Sequence, residues 1–148
     1  MKFKKYIYEV SMKKGTIIKP PKYIEEDKYK QYIILEDGLK FIFSCFYFRI
    51  ADIWEVAFED EEARRYTITK RKGAALELFA ALEKVFKQFI EKTLPNKFRF
   101  TADIEEKSRV KLYDLLAKKI EKMGMGYKYT KKQSSSSTIY NFKHWSIK

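Results

Sequence analysis

The sequence predicts an α+β (mixed α/β) fold, with one central, mostly antiparallel sheet of about seven strands and two main helices. Three observations support this prediction. Segments that alternate apolar and polar residues occur before residue 61 and again after residue 126. Two segments between them repeat apolar residues every three or four positions, and turn-forming residues separate the segments. Because 148 residues can bury one core, we expect residues 1–148 to form a single domain.

A meander of strands is predicted for the first part of the chain. The alternation places strands at residues 3–10, 29–35, 39–48, 53–59 and 65–69. Gly15, Pro20 and Pro21 mark residues 11–28 as a loop, and these residues lack the pattern of a helix pair. Residues 39–48 are apolar on both faces, so we expect a central strand with a covering layer on each side.

Two helices and three further strands are predicted for the second part. The first helix covers residues 73–92, with the apolar stripe Leu78, Leu82, Val85, Phe86, Phe89 and Ile90. The second follows a capping box formed by Asp103 and Glu106, with the stripe Val110, Leu112, Leu116, Ile120 and Met123. The strands cover residues 97–102, 127–130 and 137–147, with a loop at 131–136. A strand–helix–strand segment through residues 65–102 predicts a crossover between parallel strands.

Composition limits the cellular setting and the chemistry. Charges interrupt the first residues before any apolar run reaches the length of a signal or membrane segment, so we expect a cytoplasmic protein with no membrane partner. The single cysteine, Cys45, excludes an internal disulfide and lies in an apolar run, which predicts a buried, unreactive thiol. One Cys and one His, His144, cannot supply the usual zinc ligands, so no metal is expected.

Positive charge is concentrated at both ends of the chain. The net charge is +12, and most of it lies before residue 36 and after residue 106. Such a field favours nucleic acid or an acidic protein surface as partner. Lys128, Lys131 and Lys132, which alternate with aromatic residues, are the candidate nucleic-acid-binding residues. The alternative is that the aromatic residues form the inner face of the last two strands while the lysines contact water.

A cationic junction precedes the first helix. Lys70, Arg71 and Lys72 are followed by Gly73-Ala74-Ala75, where acidic or capping residues are usual because a helix N-terminus is already partly positive. Backbone donors and cations that converge in this way suit a phosphate group. Alternatively, the three cations simply contact water.

The order of elements and this junction resemble the GNAT superfamily, the general-control-related N-acetyltransferases. That family binds the pyrophosphate of acyl-coenzyme A on a loop of Gln or Arg, two residues, Gly, one residue, then Gly or Ala. Lys70-Arg71-Lys72-Gly73-Ala74-Ala75 has this spacing with Lys at the first position. The resemblance implies a GNAT-like fold, acetyl-CoA as cofactor, and acyl transfer to an amine acceptor.

The Leu112-Tyr113 pair on the second helix also resembles these enzymes, in which the tyrosine protonates the departing thiolate. The resemblance therefore implies an acid role for Tyr113. An amine acceptor needs a general base, and Glu55 or Glu59 on the strand before the junction could take the proton, directly or through water.

The stretch Trp54-Glu55-Val56-Ala57-Phe58, with Phe100-Thr101-Ala102 and the Leu-Tyr helix, resembles a group of small phage proteins as well. That resemblance implies location in the host cytoplasm. It also leaves two alternatives to an enzyme open. One is a non-enzymatic accessory protein whose basic surface binds nucleic acid or a host protein. The other is an oligomer or virion component that uses its aromatic-rich sheet faces as an interface.

Overall fold

A computed structural model describes residues 16–21, 23–36, 38–60, 74–103 and 107–147. For residues 23–25, 59, 60, 74, 75 and 108 the backbone alone is described. The elements in chain order are β1 (Ile17–Ile18), β2 (Tyr23–Glu25), β3 (Lys28–Ile34), β4 (Lys40–Phe48), β5 (Ile53–Asp60), α1 (Ala74–Thr93), β6 (Lys97–Asp103), α2 (Lys107–Lys122), β7 (Tyr127–Gln133) and β8 (Ser137–His144).

The described strands form one mixed sheet in the order β1-β3-β4-β5-β6-β8-β7, and β2 pairs with β3 beside β1. Every neighbouring pair is antiparallel except β5 and β6, which run parallel. This arrangement, with two main helices, confirms the predicted fold class. None of the described helices has an apolar stretch long enough to span a bilayer.

Strand β6 pairs in parallel with β5, with Trp54 beside Phe98. The predicted parallel pairing of residues 65–69 with the strand at 97–102 involves residues outside those described. A parallel connection needs a dozen or more residues, usually with a helix. The chain between β5 and β6 meets this requirement because it contains α1. Residues 3–10 and 65–69, two of the predicted strands, lie outside the described residues.

Both helices cover the same face of the sheet. Phe89 of α1 contacts Trp54 and Phe98 at ring-centroid distances of 5.5 and 5.9 Å. Tyr113 of α2 contacts Phe100 at 4.7 Å. The predicted stripe of α1 is fully buried, and Leu112, Leu116 and Ile120 of α2 are buried as well. The helical periodicity therefore predicted the packing faces correctly.

The opposite face of β4 is not covered as predicted. Phe41, Phe43 and Cys45 point into the core, and burial raises the pKa of the Cys45 thiol. On the other face Phe46 is 47% exposed and Phe48 is 52% exposed. The apolar run at residues 39–48 thus predicted a strand covered on both faces. The described residues cover only one face of β4, because both helices pack on the same side of the sheet.

Two loop predictions and one strand end also need correction. Residues 17–18 and 23–25, within the predicted loop 11–28, form β1 and β2 on the edge of β3. Residues 131–133, within the predicted loop 131–136, continue β7 against β8. The turn itself is short because the backbone amides of Ser136 and Ser137 donate to Ser134 Oγ at 3.3 and 3.0 Å. Strand β8 ends at His144 rather than at residue 147.

Candidate functional site

The parallel strands β5 and β6 separate towards their carboxyl ends. Their described register pairs run from Trp54–Phe98 to Val56–Phe100. Beyond these pairs β5 continues beside β4 to Asp60, and β6 continues beside β8 to Asp103. We call residues 57–60 and 101–103, which lie beyond these pairs, the fork. Among the described residues, no register pair joins the two arms of the fork to each other.

The fork lies where ligands usually bind in sheets with parallel strands, outside the carboxyl ends. Helix α2 follows β6 directly from this edge, and its first turn contains Lys107 and Arg109 but no acidic residue. Cations at a helix N-terminus add to the partial positive charge of the helix. The end of β6 and the first turn of α2 thus bring both the negative charge of Asp103 and the positive charges of Lys107 and Arg109 to this edge.

Tyr113 lies on the helix side of the sheet and contacts both strands of the parallel pair near the fork. Its ring centroid is 6.0 Å from that of Phe58, on the separated part of β5, and 4.7 Å from that of Phe100, in the last register pair of β6. The residue is 3% exposed. Tyr113 is thus a core residue whose position at the junction of the two strands also suits a role in the site.

Arg109 is a site residue that the sequence analysis did not select. Its guanidinium carbon lies 5.6 Å from the centroid of the Phe58 ring, which is a cation–π distance. Phe58 thus supports Tyr113 on one side and Arg109 on the other. The sequence signal that could have identified Arg109 is the same one used for Lys70 to Lys72, namely a cation in the first turn of a helix.

The two candidate bases differ in position. Glu55 lies in the paired part of β5, opposite Arg99, and its Oε2 accepts a hydrogen bond from Arg99 Nε within an ion pair. Glu59 lies on the same face of β5 but in the separated part, opposite Ile42 of β4. The geometry therefore puts Glu59 on an arm of the fork and commits Glu55 to Arg99.

The cationic junction lies mostly outside the described residues. Lys70, Arg71, Lys72 and Gly73 are not described, while Ala74 and Ala75 begin α1. The first turn of α1 contains Glu77, which is 2% exposed. Its carboxylate accepts hydrogen bonds from the Thr16 hydroxyl and, at 2.7 Å, from the Glu36 backbone amide. A buried carboxylate therefore already complements the start of α1.

The lysines suggested for nucleic-acid binding do not share a face. Lys131 lies on the helix side of β7, where its Nζ is 2.9 Å from Asp114 Oδ1 and 5.8 Å from the Tyr140 ring centroid. Lys128 and Lys132 are on the opposite side and exposed. Tyr127 and Tyr140 are buried and Tyr129 is half-buried, so these aromatic residues do form the inner face. Lys131 is therefore on the other face of β7 from Lys128 and Lys132, because strand residues alternate between faces.

Lys131 belongs to a polar network under the sheet. The Tyr140 hydroxyl donates to Asp114 Oδ1 at 2.6 Å. Burial alone would raise the pKa of Asp114, but the hydrogen bonds from Tyr140 and Lys131 and nearby positive charge hold it below its usual value. Burial and the contact with Asp114 raise the pKa of Tyr140 in turn. The network fixes β7 and β8 against α2.

This network predicts a pH effect. A carboxyl group whose pKa is lower in the folded state stabilises the protein fully at pH values above its unfolded-state pKa, about 3.9. This stabilisation is lost as the pH falls through the folded-state pKa. Tyr140→Phe should move the pKa of Asp114 upwards, as measured by NMR titration of the carboxyl carbons. Asp52, whose pKa is lowered by hydrogen bonds from Asn96 and Tyr47, is the internal control. An unchanged Asp114 midpoint would contradict the role of the Tyr140 hydroxyl.

A mostly antiparallel sheet with one parallel pair and two main helices on one face matches the GNAT-like fold that the sequence predicted. Solved structures agree. The chain is similar to the N-acetyltransferase PseH of Campylobacter jejuni, with a TM-score of 0.50 and 11% identity over 80% of this chain and 70% of that one. It is also similar to a Vibrio cholerae SpeG spermidine N-acetyltransferase chimera, with a TM-score of 0.53 and 7% identity over 82% and 69%.

A probable acetyltransferase is similar as well, with a TM-score of 0.52 and 11% identity over 80% of this chain and 62% of that one. At these identities the likeness shows the fold alone. No protein-family model and no curated protein matches the sequence. The resemblance to phage proteins stays a prediction.

Proposed function

We propose that this protein is an acyl-CoA-dependent N-acetyltransferase that binds its cofactor in the fork. The observation that carries the proposal is that the described register pairs of β5 and β6 end at Val56–Phe100, while each strand stays paired on its other side. The fork therefore lies at the carboxyl end of a parallel pair, where ligands usually bind. A fold shared with acetyltransferases supports the proposal, although related folds carry different functions.

The residues around the fork suit acyl-coenzyme A. Its amide-containing arm is thin and can form hydrogen bonds with a strand edge. The small side chain of Ala57 stands one residue beyond the last register pair, and that of Ala102 two residues beyond it. The pyrophosphate would be held by Lys70 to Ala75, as the resemblance implies, with Arg109 adding positive charge nearby. When bound, acyl-coenzyme A supplies the thioester that activates the acyl group.

The protein's own groups would move the protons. Tyr113 would donate a proton to the departing sulfur, since it touches both strands where they separate. Glu59 is the better base of the two candidates because it lies on an arm of the fork, whereas Glu55 is held by Arg99. Glu55 would then hold Arg99 beside the paired end of the fork.

Calorimetric titration with acetyl-CoA tests the binding step. We expect saturable binding to the native chain, and we expect Ala57→Trp to weaken it at least about tenfold, because an indole would cover the exposed surface of β5 directly beyond Val56. Thr130→Trp is the matched control, since Thr130 is exposed on the same sheet face but on β7. Absence of heat and of a thermal shift at millimolar ligand would remove the proposal. Equal weakening by both variants would move the site away from the fork.

A further inference from the structure

The sheet face opposite the helices contains a row of lysines on three adjacent strands. Lys97 of β6 is the register partner of Lys143 of β8, and Lys143 is the partner of Lys128 of β7. Lys132 lies on the same face of β7, two register positions beyond Thr130. We call this surface, together with the outward residues of β3 to β5, the open face. Its lysines are cross-strand neighbours rather than scattered charges.

Such a row costs stability. Like charges directly opposite each other in an antiparallel pair lie about 5 Å apart at Cβ and destabilise the sheet. Lys128, Lys132 and Lys143 are exposed and, within the described part of the chain, form no ion pair. Lys97 Nζ donates to a backbone carbonyl, that of Ala51, at 3.4 Å. The repulsion is therefore not relieved by acidic side chains that the structure describes.

Exposed aromatic rings continue the open face beyond the lysines. Phe46 and Phe48 point outwards from β4 and are about half exposed. Phe46 pairs with Lys28 on one side and Glu55 on the other, and Glu55 in turn pairs with Arg99. A depression of about 400 Å³ beside Phe46 is bordered by Lys28 and Lys30. Phe46 thus has a lysine on one neighbouring strand and, beyond Glu55 on the other, an arginine.

We propose that the open face binds single-stranded nucleic acid. A flat sheet with exposed aromatic rings can stack unpaired bases, while lysines that surround the rings contact the phosphates. A duplex would leave Phe46 and Phe48 without stacking partners, because its bases already stack on one another. An acidic protein segment would satisfy the lysines but has no planar bases for the rings. This proposal does not depend on acyl transfer, which uses the fork.

Fluorescence anisotropy with labelled oligo(dT) and oligo(U) of roughly 12 nucleotides tests the proposal. The variant combines Lys128→Ala, Lys132→Ala and Lys143→Ala. We expect it to weaken binding at least about tenfold and to reduce the salt slope, d log K/d log[salt], by about 2, the value for loss of three phosphate contacts on a single strand. The two oligonucleotides also show whether DNA or RNA is preferred.

The matched control removes three lysines from the exposed side of α2, through Lys111→Ala, Lys118→Ala and Lys122→Ala. It has the same net charge as the test variant and should bind like the native chain. Phe46→Ala with Phe48→Ala should weaken binding and leave the salt slope unchanged. Equal losses in both lysine variants would overturn the proposal. Duplex DNA or a polyglutamate peptide that binds as tightly as the single strands would overturn it too.

Thermal stability gives a second readout that a structural role could not produce. Lys143 stands between Lys97 and Lys128, so Lys143→Thr should raise the melting temperature at low salt while it weakens oligonucleotide binding. The gain should shrink at 1 M salt, where such repulsion is screened. The proposal would be contradicted if Lys143→Thr lowered the melting temperature, or if salt did not change the gain in melting temperature. Either result would mean that repulsion within the lysine row does not destabilise the sheet.

Discussion

Replacing Phe89 by alanine is expected to lower the free energy of unfolding by about 3–5 kcal/mol. Phe89 is fully buried on α1 and contacts four aromatic rings from four strands. The ring-centroid distances are 5.4 Å to Tyr29, 5.9 Å to Phe43, 5.5 Å to Trp54 and 5.9 Å to Phe98. The substitution would therefore leave a cavity at the point where α1 joins both sides of the parallel pair.

Chemical denaturation measures this loss, with an unchanged m-value as the sign that the cooperative unit is intact. Phe48→Ala is the matched control, because it removes the same side chain from an exposed position of β4. It should change the free energy of unfolding by less than about 0.5 kcal/mol. If the two variants lose similar stability, α1 does not pack on the sheet as described.

Glu59→Gln is expected to lower kcat for acetyl transfer by about 10²–10⁴-fold, the usual contribution of a general base. Glutamine keeps the shape of the side chain but cannot accept the proton of an amine. The limb of the pH–rate profile that reports the base should also disappear. Steady-state kinetics with acetyl-CoA and a panel of amines would measure both effects.

Glu55→Gln is the control for this prediction, because it changes the same side chain four residues earlier on the same strand face. Its effect on kcat should be smaller and should leave the pH limb in place. Tyr113→Phe should lower kcat and remove the limb of the pH–rate profile that reports the general acid. A larger loss in Glu55→Gln than in Glu59→Gln would assign the base to the residue that pairs with Arg99.

The periodic segments were predictable because their polarity differs between faces. The stripe of α1 and the alternation of residues 53–59 each report burial directly. Alternation does not report which strand lies beside another, so the pairing of β6 with β5 was missed. It also does not report whether a second layer exists, so the exposed rings of Phe46 and Phe48 were not expected.

The site could be predicted only in part for a related reason. Tyr113 was found through a local pair of residues, and the structure places it at the fork. Glu77 was missed because its partners, Thr16 and Glu36, lie far away in the sequence. Lys131 was grouped with Lys128 and Lys132 by charge, whereas the alternation along β7 places it on the other face.

The fork also divides the sheet into two halves that are each contiguous in the chain. Strands β1 to β5 form one half and β6 to β8 the other, and the described strand pairing between them is limited to the three rungs from Trp54–Phe98 to Val56–Phe100. Because all of α1 separates those partners in sequence, closing them carries a larger loop entropy than any hairpin here. A ligand in the fork would bind only when the two halves of the sheet are paired with each other. Its occupancy would therefore be thermodynamically linked to their docking, and would raise the stability of that one junction.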